Sequence, residues 1–228
     1  MVSVIIPCGG KSTRMGGIDK LFLEIEGISV IERTVMPFAD VNSIKEIILC
    51  CSDSFKSKFY SVLKSNFKVP VKFAPNGETR QQSVANGFKI VDNTCNFVCV
   101  HDGARPLISS DTISKAILDA KKYGSSVVCV PCKDTVKISD NFGYVKETPP
   151  RDTLFLTQTP QIFSYKKYKE ALEFSWKNSL DFTDDSQLFE ALGIMPHITV
   201  GDYSNIKITT PEDIAVAQQI LKFNKSKG

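Results

Sequence analysis

The residues with the clearest chemical potential form a glycine-rich segment near the start of the chain. Gly9 and Gly10 closely follow residues 2–6, an apolar run rich in β-branched side chains that predicts a buried strand. Glycines at the end of such a strand let the backbone pass close to a ligand and turn its N–H groups toward phosphate oxygens. Arg14 and Lys20 add two cations nearby. These features favour a nucleoside triphosphate site; the alternative is a glycine-rich turn whose cations are merely solvated.

Two common phosphate-binding motifs do not fit this segment. Gly10-Lys11-Ser12 has the letters that end a P-loop, but the P-loop pattern requires a glycine where Ile5 stands. The dinucleotide fingerprint G-x-G-x-x-G cannot be placed on Gly9 or Gly10 either. The pattern that does fit is G-G-x-x-x-R-M-G with a lysine soon after, which is similar to that of sugar-nucleotide and related nucleotidyltransferases.

Strand and helix patterns alternate along the chain before residue 132. This alternation predicts one α/β domain over residues 1–228, with a doubly wound, mainly parallel twisted sheet and right-handed crossovers. Ligands of such sheets bind beyond the carboxyl ends of the strands. We therefore expect Gly9, Gly77 and Asp102, which follow predicted strands, to converge on one cleft. The predicted strands are 2–6, 44–51, 69–73, 97–101 and 125–131, and the predicted helices are 30–38, 54–63, 80–91 and 112–123.

Residues 133–150 interrupt this alternation. Extended runs on both sides of a polar turn at 140–143 predict a β-hairpin. A lone hairpin is marginal in water, so we expect this protruding arm to pack on its own domain or on a second subunit.

The C-terminal part returns to regular structure. We predict a helix from Thr183 to Leu192 and an extended segment at 197–200. A final helix is predicted with Thr210 as its N-cap and Pro211 in its first position.

Composition excludes several classes of protein. The 28 basic and 25 acidic residues give a net charge of +3, which is too small to indicate nucleic-acid binding. The N-terminal apolar run is too short for a membrane span or a signal peptide. Seven cysteines, an odd number, without a secretion signal predict reduced thiols and a cytoplasmic location.

The later motifs, in their order and spacing, resemble those of the 2-C-methyl-D-erythritol 4-phosphate cytidylyltransferase family. The resemblance runs from Val2 to about Leu221. The glycine-rich segment is shared by many nucleotidyltransferases, whereas the combination of later motifs is much more specific. Those motifs are Arg80-x-x-Ser83-Val84, His101-Asp102-Gly103-Ala104-Arg105-Pro106, Gln158-Thr159-Pro160-Gln161, Thr183-Asp184-Asp185 and Asn205-Ile206-Lys207.

The N-terminal segment departs from that family's pattern. Cys8-Gly9 stands where the family usually has two alanines, and Asp19-Lys20-Leu21 stands where it has proline, lysine and glutamine. The run from Arg14 to Lys20 is closer to molybdenum-cofactor guanylyltransferases, which gives one alternative activity. D-ribitol-5-phosphate cytidylyltransferases share much of the pattern and rank as the first alternative, although they generally lack the Ser83-Val84 and Thr183-Asp184-Asp185 signatures.

The resemblance implies a Rossmann-like nucleotidyltransferase fold and an attack of the acceptor's phosphate oxygen on the α-phosphorus of CTP, with release of pyrophosphate. It implies Mg²⁺ held largely by phosphate oxygens, and leaves Asp102 open as a metal or a ribose contact. The implied catalytic residues are Arg14, Lys20, Arg151 and Lys207. The implied nucleotide-binding residues are Cys8, Gly9, Gly10, Gly77, Arg80, Ser83, Asp102 and Gly103. The implied acceptor-binding residues are Arg105, Thr135, Arg151, Thr159 and Thr183.

The resemblance also implies the assembly. It places Thr135 and Arg151 at the acceptor site of a neighbouring subunit, and so predicts a homodimer with residues 133–150 as the dimerisation arm. The expected partners are CTP and a polyol phosphate, with no nucleic acid and no membrane. The expected compartment is the cytoplasm, or a plastid in a plastid-bearing organism.

Overall fold

A computed structural model describes residues 1–9, 19–63 and 67–226. The strands are β1 (Val2–Pro7), β2 (Glu24–Ile25), β3 (Ile28–Ser29), β4 (Ile44–Cys51), β5 (Val71–Pro75), β6 (Phe97–Val100), β7 (Ser125–Pro131), β8 (Ile138–Ser139), β9 (Val145–Glu147), β10 (Phe155–Ser164) and β11 (Ile198–Val200). The helices are α1 (Val30–Ala39), α2 (Asp53–Val62), α3 (Arg80–Phe88), α4 (Ser110–Tyr123), α5 (Tyr165–Lys177), α6 (Ser186–Ala191) and α7 (Glu212–Lys225). Short 3₁₀ turns cover Lys20–Phe22 and Arg151–Thr153.

Seven strands form one sheet in the order β11-β7-β10-β6-β1-β4-β5. β10 is antiparallel to both of its neighbours, whereas the other pairings in this sheet are parallel. From β1 the chain builds β4 and β5 on one side and then returns to add β6 on the other. The carboxyl ends of β1 and β6 therefore diverge at a topological switch point, where sheets of this kind bind ligands.

Helices cover both faces of the sheet, as a doubly wound fold requires. One apolar cluster contains buried side chains of α1, α2, α4 and α7, and the other contains those of α3, α5 and α6. β1 shows why both faces must be covered: Val4 and Ile6 belong to the first cluster, Ile5 belongs to the second, and all three are fully buried. The predicted fold class is confirmed.

Short polar side chains set the helix boundaries. Ser29, Thr79, Ser109 and Ser164 each precede a helix and accept a hydrogen bond from the backbone N–H three residues later, which satisfies one unpaired donor of the first turn. α4 ends at Gly124, whose φ of 85° is readily adopted by glycine.

The sequence-based prediction missed β10 and α5. The middle of β10 buries Gln158, Thr159 and Gln161, so the strand shows no apolar run or clean alternation. The buried face of α5 includes Ala171 and Ser175, whose small side chains weaken the apolar period that predicts a helix.

Two predicted helix starts are also wrong. α7 begins at Glu212, and Thr210 does not cap it; instead the carboxylate of Asp213 accepts hydrogen bonds from the backbone N–H groups of Thr209 and Thr210, at 2.7 and 2.8 Å. α6 begins at Ser186, three residues later than predicted. The Thr183 hydroxyl donates to Gln187 Oε1, and Asp184 Oδ1 accepts from Gln187 N–H, so both side chains contact the first turn from outside the helix.

The predicted hairpin arm is present and protrudes. β8 pairs antiparallel with β9, and nearly every residue from 133 to 150 is exposed. Phe142 and Tyr144 near its tip are 85% and 73% exposed. The sequence led us to expect that the arm packs on its own domain or on a second subunit. Its own domain leaves it exposed.

Candidate active site

The loops that follow β1, β5 and β6 meet at the switch point. A Cβ added to Gly9 would lie 2.7 Å from the Cβ of Asn76, so the loops after β1 and β5 are in contact. A Cβ added to Gly103 would lie 3.3 Å from the Pro7 carbonyl oxygen and 3.4 Å from the Cys8 sulfur. Larger side chains at Gly9 or Gly103 would push these loops apart.

A cleft of about 180 Å³ opens beside these loops. β10 reaches it because Gln161 pairs with Val100 at the end of β6 and β10 runs antiparallel to β6, so the residues before Gln161 lie beyond the end of β6. Six of the residues predicted from the sequence line this cleft together with four that were not. The lining residues are Arg80, Asp102, Arg105, Thr157, Gln158, Thr159, Gln161, Thr183, Asp184 and Lys207.

Asp102 is the electrostatic centre of the cleft. Its Oδ1 lies 3.2 Å from Arg80 Nε, and its Oδ2 lies 2.8 Å from Lys207 Nζ and 3.8 Å from Arg105 Nε. Burial alone would raise the pKa of Asp102, but Arg80 and Lys207 outweigh it and hold that pKa well below its usual range. One carboxylate therefore holds three cations in place, and the cleft suits an anionic ligand.

Two lysines meet at the segment that follows β11. Lys20 donates from Nζ to the Ile208 carbonyl at 2.8 Å, and Ile208 N–H in turn donates to the Ala104 carbonyl at 2.8 Å. Since Lys207 is the residue before Ile208, this backbone ties Lys20 to the cations around Asp102. The structure thus brings together two of the four predicted catalytic residues. Arg14 lies outside the described residues.

His101 is buried beneath Asp102 and fixes the loop after β6. The Thr159 hydroxyl accepts from Asp102 N–H at 3.0 Å and lies 3.0 Å from His101 Nδ1. His101 Nε2 lies 3.3 Å from the Arg105 carbonyl, which can only accept. Burial lowers the pKa of His101 to about 3, so the imidazole stays neutral.

The loop between β5 and α3 is closed by its own side chains. Ser83 Oγ accepts from Gly77 N–H at 2.9 Å and donates to the Thr79 carbonyl at 3.0 Å. A Cβ on Gly77 would clash with Gln82 and with the backbone of Ser83. Gly77 and Ser83 therefore shape the loop in front of Arg80, rather than lining the cleft themselves.

Of the predicted nucleotide-binding residues near β1, Cys8 is held by the sheet. Its N–H donates to the Cys50 carbonyl at 2.8 Å, so this group is not offered to a ligand. Gly10 lies outside the described residues.

The predicted acceptor-binding residues fall into two groups. Arg105, Thr159 and Thr183 line the cleft. Thr135 and Arg151 are exposed at the root of the arm, where Arg151 Nη1 donates to the Lys133 carbonyl at 3.2 Å, and neither lines the cleft of its own chain.

Sequence reasoning missed the buried polar layer behind the cleft. Gln161 Oε1 accepts from the N–H groups of Asp185 and Ser186 at 3.1 and 3.0 Å, and Asn205 Nδ2 donates to Gln158 Oε1 at 3.0 Å. These residues lie in motifs that carried the family resemblance, which was the one available signal. Their roles depend on contacts between segments far apart in the chain.

Within the described ranges, no three of the histidine, cysteine, aspartate and glutamate side chains lie close enough together to hold a metal ion. No helix in the same ranges is long and apolar enough to cross a bilayer.

Comparison with known proteins gives the class and then the family. The structure aligns with the crystal structure of 4-diphosphocytidyl-2C-methyl-D-erythritol synthase from Anaerococcus prevotii with a TM-score of 0.88 and 34% identity, over 97% of this chain and 96% of that one. It aligns with a Francisella tularensis 2-C-methyl-D-erythritol 4-phosphate cytidylyltransferase with a TM-score of 0.80 and 30% identity, over 96% and 98% of the two chains. Together with these two matches, the cation-rich cleft at the switch point identifies a nucleotidyltransferase.

The sequence matches agree with the structural ones. The family model for 2-C-methyl-D-erythritol 4-phosphate cytidylyltransferase matches residues 2–223. Proteins of that name from Clostridioides difficile and Caldanaerobacter subterraneus are 41% and 39% identical, covering 99% and 97% of this chain and 95% and 99% of those proteins. A chloroplastic one from Oryza sativa is 36% identical over 96% of this chain and 74% of that protein. The chain belongs to this family, which confirms the predicted reaction.

Proposed function

We propose that the cleft around Asp102 is where this chain transfers the cytidylyl group from CTP to 2-C-methyl-D-erythritol 4-phosphate. The observation that carries the proposal is the grouping of Arg80, Arg105 and Lys207 on one buried carboxylate at the switch point. Asp102 pre-organises these cations, so little reorganisation is needed when a polyanion enters.

In the proposed reaction, a phosphate oxygen of the acceptor forms a bond to the α-phosphorus of CTP while the bond to the β-phosphate oxygen breaks. The leaving group is pyrophosphate, which takes the electron pair of the broken bond. Both reactants are anions, so the protein's contribution is positioning and charge neutralisation. Lys207 holds the α-phosphate beside the incoming phosphate, and Lys20 and Arg14 neutralise the charge that builds up on the leaving group.

Both oxygens of Asp102 already pair with cations, so a Mg²⁺ in this cleft would be held chiefly by phosphate oxygens and water, with Asp102 as no more than one of its ligands. When bound, the ion would neutralise phosphate charge. Asp102 is the residue that would hold it, unless that carboxylate contacts the ribose instead.

We also propose that the active protein is a homodimer whose arms exchange. The exposed arm carries large apolar side chains that a two-fold partner would bury. Thr135 and Arg151 at the root of the arm would then complete the acceptor site of the neighbouring subunit. A guanidinium suits that task because it can hold a phosphate through two parallel hydrogen bonds.

We propose a reducing compartment on the basis of the thiols. All seven cysteines are unpaired, and five of them are buried. This pattern fits the reducing cytoplasm, or a plastid if the source has one.

A nucleotide panel tests the proposed function. Pyrophosphate release is measured with CTP, GTP, ATP or UTP, with Mg²⁺, and with 2-C-methyl-D-erythritol 4-phosphate or D-ribitol 5-phosphate as acceptor. We expect turnover with CTP and the methylerythritol phosphate, and a loss of about 10² to 10³ in rate for Lys20→Ala. Lys115→Ala is the matched control, because that exposed lysine also donates to a backbone carbonyl, that of Val200 at 3.1 Å. Faster turnover with GTP or with ribitol phosphate would contradict the proposal.

A further inference from the structure

A buried tyrosine–aspartate pair lies behind the cleft. Tyr168 on α5 is fully buried, and its ring packs against Phe163 and Phe88 with centroids 5.4 and 5.5 Å apart. Its hydroxyl donates to Asp185 Oδ1 at 2.5 Å. Burial raises the pKa of Tyr168 and the charge of Asp185 raises it further, so the phenol keeps the proton that it donates. The hydroxyl is therefore a fixed donor to one carboxylate oxygen.

The Asp185 carboxylate is buried, and both of its oxygens are hydrogen-bonded within the protein. Oδ1 accepts from Tyr168, and Oδ2 accepts from Arg80 Nη1 at 2.5 Å. The Asp185 side chain is 2% exposed, and its backbone N–H donates to Gln161. Any effect of this carboxylate on a bound nucleotide must therefore pass through Arg80.

Arg80 is gripped at two different points of its guanidinium. Nη1 is held by Asp185, and Nε lies 3.2 Å from Asp102 Oδ1. A guanidinium has five N–H donors in a rigid plane, so two contacts to different carboxylates fix both its position and the direction of its remaining donors. The side chain is 26% exposed and lines the cleft.

We infer that Tyr168 and Asp185 are positioning residues for nucleotide binding, which act by holding the Arg80 guanidinium in place. This inference rests on the proposed function. Tyr168 binds Oδ1, and Asp185 contacts Arg80 through Oδ2. Since Nε of Arg80 faces Asp102, the other N–H groups of the guanidinium are left for the nucleotide. Without the hydroxyl, both oxygens of Asp185 could take the guanidinium in a bidentate pair, which would draw it away from Asp102 and the cleft.

The test is CTP binding to the full-length protein, measured by calorimetry without acceptor. Tyr168→Phe keeps the ring and removes only the hydroxyl, and we expect the loss of orientation at Arg80 to raise the Kd for CTP about tenfold. In turnover, KM for CTP should rise by a similar factor, while kcat and KM for the acceptor stay within about threefold. Tyr165→Phe is the matched control, since Tyr165 lies on the same helix and also stacks on Phe88; it should bind CTP as the wild type does.

A double-mutant cycle shows whether the effect passes through Arg80. In an Arg80→Lys background, which has no fork to orient, Tyr168→Phe should raise the Kd for CTP less than twofold further. An equal tenfold loss in both backgrounds would overturn the inference, and so would a Tyr168→Phe protein that melts earlier but binds CTP normally. Asp185→Asn gives a second route to the same result and should weaken CTP binding at least as much. A wild-type protein that binds no CTP would overturn the proposed function as well as this inference.

Discussion

At the scale of single residues, neutral buried groups hold the charged residues of the cleft in place. His101 is neutral and fully buried, and it joins Thr159 to the Arg105 carbonyl beneath Asp102. Its two ring nitrogens have different partners, so one tautomer is selected: Nδ1 accepts and Nε2 donates. Protonation of Nδ1 would remove its capacity to accept from Thr159, and would place a positive charge next to Arg105.

The pH dependence of stability should report this buried imidazole. The folded-state pKa of His101 is lowered to about 3, whereas an unfolded histidine titrates near about 6.5. Below about pH 6.5 the unfolded chain therefore binds a proton that the folded chain refuses, and stability falls as pH falls. We expect a loss of about 2 kcal/mol in the free energy of unfolding between pH 7.5 and 5 from this residue.

Urea unfolding at several pH values measures this loss, and His101→Gln should remove about that much of the pH dependence. Histidine NMR resonances give an independent measurement: the His101 ring should stay unprotonated from pH 7.5 to 5. A titration midpoint near pH 6 would contradict the prediction.

At the scale of elements, α3 and β10 carry the cleft. α3 begins with Arg80 and packs on β1 and β4, so the depth at which it sits decides where the guanidinium lies. β10 is antiparallel to its neighbours and brings Gln158 and Thr159 to the ligand edge of the sheet. A parallel strand in this place would present its carboxyl end there instead.

The packing of α3 should depend on Gly87. A Cβ at this position would lie 2.7 Å from both Cys50 Sγ and Ile5 Cγ2, so Gly87→Ala forces the helix away from the sheet. We expect a loss of about 1–3 kcal/mol in the free energy of unfolding, measured in urea, together with a higher KM for CTP. Asn86→Ala, on the half-exposed face of the same helix, should change stability by less than about 0.5 kcal/mol. Equal stability of the Gly87→Ala and wild-type proteins would show that the helix can shift freely.

At the scale of the whole molecule, the packing of a single chain does not account for the exposed arm. Its tip exposes Phe142 and Tyr144, and its root carries Thr135 and Arg151 outside the cleft of the same chain. Exchange of arms across a two-fold axis would account for both observations.

Mixing two inactive variants should test this exchange. If Arg151 serves the partner's site, a hybrid of Arg151→Ala and Lys20→Ala subunits contains one site with both residues intact. Statistical mixing gives about half hybrids with one good site in two, so about a quarter of wild-type activity should return. Mixing Lys20→Ala with Lys207→Ala is the control and should restore nothing, because both lysines belong to the same cleft. Hybrids that form but stay inactive in the first mixture would contradict the shared site.

The sequence by itself determined the alternating strands and helices, the family, and most residues of the cleft. The apolar runs of β1, β4 and β7 are local signals, because a strand that is covered on both faces must be apolar along its length. The polar residues at strand ends are local signals as well. The tertiary structure decided what no local signal contains. β10 is a strand because its buried glutamines and threonine find partners on other segments, and Tyr168 matters because folding brings it to Asp185, 17 positions away. Hydrogen bonds and ion pairs between distant segments depend on where the chain returns, which periodicity does not encode.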